Sequence, residues 1–153
     1  MKISADGLNF IKLAEGCYLS AYQDSVGVWT IGVGHTKDVC EGQIITPGMV
    51  DIFLEEDLEE VYECIRNRVT VPLNQPQFDA LCSFIFNLGC GAFSSSTLRR
   101  KINDGDYEGA VAEFGRWVYA GGRVLAGLRK RRAGEAMMFA SADPEQTEPG
   151  AIA

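Results

Sequence analysis

The stretch from Glu15 to Thr36, EGCYLSAYQDSVGVWTIGVGHT, constrains this chain more than any other. It begins where a helical pattern ends, and it runs through two strand-like segments joined by a turn. Leu8, Ile11 and Glu15 recur at intervals of three and four, so they share one helix face. A glutamate closing an apolar stripe sits where burial and the negative end of the helix dipole both disfavour charge. A carboxyl that keeps its proton near neutral pH is what a general acid has to be. The plain alternative for Glu15 is a helix-border residue with its tip in water.

Tyr18 to Tyr22 and Val28 to Val33 are rich in aromatic and β-branched residues, and Asp24-Ser25-Val26-Gly27 lies between them. The pattern predicts a β-hairpin. In the second strand Val28, Thr30 and Gly32 face one side, and Trp29, Ile31 and Val33 face the other. Thr30 therefore points away from the large apolar side chains. Taken singly, Asp24 is ordinary turn chemistry and Thr30 ordinary strand preference. Together with Glu15 they stand at spacings that let three oxygen-bearing side chains converge on one point.

The rest of the chain reads mostly as helix. Residues 4–15 form the first helix, with Ser4 as its N-cap. A third short strand is expected around Gln43, Ile44 and Ile45. Thr46-Pro47 then supplies an N-cap followed by proline at the first helical position. The helix that follows runs to about Asn67, with Val50, Leu54, Leu58, Val61 and Ile65 on one face. Its opposite face carries the acidic run Asp51, Glu55, Glu56, Asp57, Glu59, Glu60 and Glu63, a solvated side. Asn74-x-x-Gln77 is a capping-box pattern. It opens a segment with Phe78, Leu81, Cys82, Ile85 and Leu88 at helical spacing and few charges, expected to be buried nearly all round. Gly89 and Gly91 end it. A short helix through Ile102, an amphipathic helix over Tyr107 to Val118, a break at Gly121-Gly122 and a last helix from about Leu125 to Phe139 follow. Residues 141–153 have no periodicity and are expected to form a mobile tail.

This order predicts an α+β, mostly helical fold. Its 153 residues suffice for one domain of two small lobes, about 15–65 and 70–140, with helix 4–15 packed on the second. No apolar run approaches the roughly 18 residues that span a bilayer, and no signal-peptide core is present. Stable membrane insertion is not expected, and the chain is expected to remain at first in the cytoplasm. Five cysteines, Cys17, Cys40, Cys64, Cys82 and Cys90, form no C-x-x-C pair. With no signal sequence, no disulfide framework is expected, and Cys64 and Cys82 read as small core residues. With one histidine, a Cys/His zinc site is not expected either. The net charge of −7 argues against a nucleic-acid partner. Arg99, Arg100, Lys101, Arg116, Arg123 and the Arg129 to Arg132 run are nevertheless expected to give the C-terminal third a positive surface.

The frame Glu15…Tyr22-x-Asp24-x-x-Gly27-x-x-Thr30-Ile31-Gly32-x-Gly34-His35 resembles that of the small tailed-phage lysozymes, the muramidase endolysins of glycoside hydrolase family 24. Two further segments carry the same resemblance: Pro72-Leu73-Asn74-x-x-x-Phe78-Asp79-Ala80-Leu81 with Phe86-Asn87-x-Gly89, and Gly127-Leu128-x-x-Arg131-Arg132-x-x-Glu135. The similarity spans roughly residues 4–140. It implies a lysozyme-like fold with a sugar-binding cleft between two lobes. It also implies hydrolysis of the β-1,4 bond after N-acetylmuramic acid in peptidoglycan, without metal or other cofactor.

On that resemblance Glu15 is the general acid, and Asp24 and Thr30 position the attacking water in an inverting reaction. Gly34, Thr36, Phe86, Asn87 and Thr97 match substrate-binding positions. Asn87 also stands out by itself, because an amide in so apolar a helix needs partners. Release would depend on a separate membrane-lesion protein, a holin, and the enzyme would act in the periplasm as a monomer. Arg131 and Glu135, spaced i, i+4, read as an intrahelical ion pair. Asp57 lies at the edge of its helix's apolar stripe, and a partly buried His35–Asp57 pair is expected, with the histidine pKa raised and the aspartate pKa lowered. The readings from other classes are a wall-binding module without turnover, a lytic transglycosylase and, more distantly, a nucleic-acid binder. All three of Glu15, Asp24 and Thr30 are present, which favours turnover with water.

Overall fold

The computed structural model describes residues 1–141; the tail expected at 141–153 falls, after Ser141, outside them. The elements are α1 (Ala5–Glu15), β1 (Tyr18–Gln23), β2 (Trp29–Gly32), α2 (Pro47–Arg68), α3 (Gln75–Leu88), α4 (Cys90–Ser94), α5 (Thr97–Asn103) and α6 (Tyr107–Glu113). A 3₁₀ turn (Phe114–Arg116), β3 (Tyr119–Ala120), β4 (Arg123–Val124) and α7 (Ala126–Ala140) complete the chain. This is an α+β fold dominated by helices, as the sequence pattern predicts.

Local chemistry sets most boundaries. Ser4 Oγ accepts from the Gly7 amide at 3.1 Å and starts α1. Thr46 Oγ1 accepts from the Met49 amide, ahead of Pro47 at the first position of α2. Asn74 and Gln77 form the full reciprocal capping box of α3. β1 and β2 pair antiparallel, with Tyr22 opposite Thr30, and an irregularity between Tyr18 and Tyr22 shifts the register. The third strand is reduced to one bridge, Ser20 to Ile44, flanked by bonds from the Ala21 amide to Gln43 and from the Ile45 amide to Leu19.

α3 is the centre of the helical part. Its residues from Phe78 to Ile85 are all buried, and α1, α2, α4 and α7 pack around it. Phe84 makes edge contacts with Phe93, Phe114 and Trp117, pair geometries worth about 0.5–1.5 kcal/mol each beyond burial. Asp79 of α3 accepts from both the amide and the hydroxyl of Ser4, which locks the start of α1 to α3.

Three features depart from the sequence reading. The helix expected to reach Val118 stops at Glu113, passes into the 3₁₀ turn, and gives way to the β3–β4 hairpin. Gly121 and Gly122, both at positive φ (59° and 77°), turn that hairpin. A Gly-Gly pair between short strands is a hairpin signal, and the amphipathic pattern upstream masked it. The second departure is the five-residue α4 directly after Gly89.

The third concerns cysteine. Cys64 on α2 is disulfide-bonded to Cys90, the first residue of α4, with Cα atoms 5.8 Å apart. Cys64 is therefore a cross-link as well as a core residue, contrary to expectation. The partners are 26 residues apart and meet because α2 and α4 pack together, which no local spacing reveals. Cys82 is buried and free, and burial pushes its thiol up. Cys17 and Cys40 are exposed free thiols.

Closing a loop of this length restricts the unfolded chain by about 3–4 kcal/mol in the entropic account. Reduction, or Cys90→Ser, should lower the melting temperature by on the order of 10 °C. Calorimetry with and without a phosphine reductant checks this. Identical transitions, with Cys64 and Cys90 both alkylated in the reduced sample, would show that the bond adds nothing.

Candidate active site

Glu15 is the last residue of α1, and Gly16 at φ 77° ends the helix behind it. Its side chain is 21% exposed. Oε1 accepts from Arg131 Nη1 of α7 at 2.6 Å. Oε2 faces the turn after β2: a Cβ placed on Gly34 would lie 3.0 Å from it and 3.4 Å from the Phe86 ring. Glycine at 34, with φ of 63°, thus lets the backbone come close to the carboxyl. Glu15, Gly34, Phe86 and Arg131 meet at one place.

The hairpin supplies the other oxygens. Asp24 Oδ1 accepts from the Val26 and Val28 amides at 3.0 and 2.8 Å, which fixes the turn. Its Oδ2 accepts no bond from the described residues, and Asp24 is exposed. Thr30 is only 4% exposed, and its hydroxyl donates to the Val28 carbonyl at 3.0 Å. Tyr22, opposite Thr30, was not singled out from the sequence. Burial raises its phenol, and the charges of Tyr18, Glu15 and Asp24 push the same way. Tyr22 therefore lies in the field of both carboxyls, beside Thr30, with Tyr18 4.5 Å away between ring centroids.

Not every expected site residue joins this group. Asn87 finds its partner in Arg132, whose Nη2 donates to Asn87 Oδ1 at 2.6 Å. Thr36 is exposed just beyond His35, and Thr97 is half-buried at the first position of α5. Neither hydrogen-bonds to Glu15, Asp24 or Thr30 among the described residues. No cluster of three or more His, Cys, Asp or Glu side chains suited to a metal occurs among them either.

Behind Glu15 stands a buried charged network that the sequence reading reduced to one helical pair. Arg131 Nε does lie 3.6 Å from Glu135 Oε2. Its shorter contacts are to Glu15, to Ser83 Oγ (3.2 Å) and to the Ser83 carbonyl (3.2 Å). Ser83 Oγ donates to Glu135 Oε2 at 2.6 Å. Arg132 and Glu135 are fully buried, with Nε and Oε1 2.8 Å apart. That contact is a charge pairing without hydrogen-bond alignment, so both atoms lack a bonded partner among the described residues, as does Arg132 Nη1. Burial pushes the Glu135 carboxyl up to about 7, against the pull of Arg132, Ser83 and Arg131. Burial also lowers Arg132.

His35 is buried at the base of the turn. Its Nδ1 is 2.8 Å from Asp57 Oδ2, and its ring stacks on Phe53 at 4.4 Å. The pair expected from the sequence is formed. The expected direction for Asp57 is not: its carboxyl is raised. Burial is the largest cause and outweighs the His35 hydrogen bond and charge, and Glu60 and Glu56 add to it.

Known proteins place this arrangement. The profile of the Phage lysozyme family matches residues 12–135. The endolysin of Acyrthosiphon pisum secondary endosymbiont phage 1 is 47% identical over 146 residues, covering 93% of this chain and 100% of that protein. The crystal structure of a point mutant of P22 lysozyme superposes with a TM-score of 0.84 at 43% identity, covering 92% of this chain and 99% of that one. The muramidase domain of SpmX from Asticcacaulis excentricus gives 0.86 at 40% identity, with the same coverage. Fold and matches together define a glycoside hydrolase of the lysozyme class, an enzyme of peptidoglycan. Within that class the chain belongs to the phage lysozyme family, whose members here carry the name endolysin.

The raised Asp57 has a consequence for stability. The folded protein holds this proton more tightly than the unfolded chain does. The contribution is therefore fullest below the ordinary value of 3.8 and is lost as pH rises through the folded value. Between pH 4 and 6 (roughly the mildly acidic range) the wild type should lose melting temperature relative to Asp57→Asn. Parallel pH profiles of the two proteins would contradict this account.

Proposed function

We propose that this chain cleaves the β-1,4 bond between N-acetylmuramic acid and N-acetylglucosamine by a single displacement with water, Glu15 being the general acid. The observation that carries the reading is the asymmetric environment of Glu15. One oxygen is held by Arg131 at 2.6 Å, and the other is turned toward Gly34 and Phe86. A carboxyl fixed at one oxygen can present a proton from the other in one direction. That proton goes to the glycosidic oxygen as the bond to the anomeric carbon breaks.

Water completes the displacement. The Thr30 hydroxyl spends its proton on the Val28 carbonyl, so toward a water it accepts. Asp24 keeps Oδ2 available, and as a carboxylate it also accepts. A water donating to both has a lone pair left for the anomeric carbon, and Asp24 takes up its proton as the new bond forms. The Asp24 charge also stabilises positive charge developing on the sugar. A water between the carboxyls implies inversion, with a separation of roughly 6.5–9.5 Å, where a retaining nucleophile would stand at about 5–5.5 Å. Phe86, Asn87, Thr97, Gly34 and Thr36 would line the bound strand. No metal or cofactor takes part.

None of the helices among the described residues is long and apolar enough to cross a membrane. The enzyme would act as a monomer in the periplasm, reaching it from the host cytoplasm through a lesion made by a holin.

Glu15→Gln should fold normally and lose roughly 10²–10⁴-fold in lysis rate, because an amide cannot give the proton. Turbidity of outer-membrane-permeabilised Gram-negative cells measures this, and wild-type rates would exclude the role. Thr30→Val keeps shape, removes the hydroxyl, and should lower turnover with little loss of melting temperature. The stereochemistry is read by NMR on fresh product before mutarotation. The α-anomer is expected; the β-anomer would mean retention, and a 1,6-anhydro end a lytic transglycosylase.

A further inference from the structure

We propose that Glu135, which touches no substrate, is a positioning residue that fixes the Glu15 carboxyl and the Asn87 amide together through two arginines. The inference rests on the reading of Glu15 as the general acid. Glu135 is fully buried on α7. Its Oε2 receives the Ser83 hydroxyl at 2.6 Å and lies 3.6 Å from Arg131 Nε; its Oε1 lies 2.8 Å from Arg132 Nε. Each arginine makes a further contact with its other end: Arg131 Nη1 to Glu15 at 2.6 Å, and Arg132 Nη2 to Asn87 at 2.6 Å. The Arg132 guanidinium also lies over the Phe84 ring, 5.2 Å from its centroid. One carboxylate thus stands in ion-pair contact with the inner ends of two arginine forks, whose outer ends hold one group from α1 and one from α3.

The charges make this more than a brace. Arg131 is shared between Glu15 and Glu135. When Glu135 is ionised, it competes for that guanidinium and adds negative charge behind Glu15, which favours the protonated acid. When Glu135 is neutral, Arg131 serves Glu15 alone and favours its carboxylate. Other charged groups lie around the network, among them Arg129, which lines one cavity with Arg132. From α1 comes Glu15, and from β1 Tyr22. α3 offers only uncharged Ser83 and Asn87 here, since its Asp79 is bonded to Ser4. On α6 Glu113 is paired with Lys101 and Arg116.

A purely structural Glu135 would change stability only. Glu135→Gln keeps the volume and an oxygen for Ser83 and removes the charge. As a positioning residue it should lower kcat about tenfold or more, a scale that small misplacements of an acid reach, with a smaller change in KM. The basic limb of its kcat/KM profile should move to lower pH, and Glu135→Asp, which restores the charge, should bring that limb back. An unmoved limb in Glu135→Gln overturns the proposal, whether or not the rate falls. If Glu135→Gln does not fold, the wild type decides. Carboxyl ¹³C titration should show Glu15 responding a second time at the pH where Glu135 titrates, and a single Glu15 step overturns the proposal. That titration needs no substrate. It therefore separates failure of the Glu135 role from failure of the catalytic reading, which full activity of Glu15→Gln would signal.

Discussion

The contact between Glu15 and Arg131 joins residues 116 positions apart, and the rest of the structure is arranged so that it can form. α1 must end at Glu15, α7 must pass behind it, and α3 must hold both. Each demand has a local cause. Gly16 ends α1 with a positive φ. Gly134 gives Phe10 of α1 room against α7, where a Cβ would come within 2.6 Å of its ring. Ser83, at the centre of the buried face of α3, anchors Arg131 by two bonds. Burying such charges costs several kcal/mol per ion, and apolar replacements of the same volume are often as stable. Stability alone is therefore a poor reason for two arginines and a glutamate in this core. Placing the Glu15 carboxyl is a better one.

The two parts of the site differ in what holds them. The hairpin side is local: Asp24 organises its own turn, Thr30 bonds two residues back, and Gly34 makes its approach through one backbone conformation. The helical side is tertiary, with the Glu15, Arg131, Ser83, Glu135, Arg132 and Asn87 network drawn from three helices. The long helix α2 touches both, through β2 on one side and through α3, α4 and the Cys64–Cys90 bond on the other. His35 and Asp57 fasten the turn after β2 to α2. Motion between the parts would change the distance between Glu15 and the Asp24–Thr30 pair, so these ties set the geometry of the site.

Much was legible in the sequence because it depends on neighbours in the chain. Ser4, Thr46 and Asn74 cap helices through bonds to amides three residues on, and those caps form as read. The apolar periodicity of Val50, Leu54, Leu58, Val61 and Ile65 puts all five in the core. The hairpin with Asp24 at its turn follows from strand and turn preferences acting over a dozen residues. The family was legible for the same reason, since the frame from Glu15 to His35 lies within one continuous segment.

What only the tertiary structure decided are the pairings across that segment and the environments they create. Cys64 meets Cys90 because two helices pack, so counting and spacing cysteines left the bond unseen. Arg131 keeps its i, i+4 contact with Glu135 at 3.6 Å, yet its shortest bond, at 2.6 Å, goes to Glu15, which packing brings to it from far along the chain. Asp57 finds its histidine as the helix pattern suggests, yet its proton affinity moves the other way, because desolvation depends on everything packed around the pair. The sequence by itself determined most of the helices, the first hairpin and the family frame that holds Glu15, Asp24 and Thr30, through interactions a few residues long. Their electrostatics came from burial and from partners far along the chain, and those exist only once the helices have closed around α3.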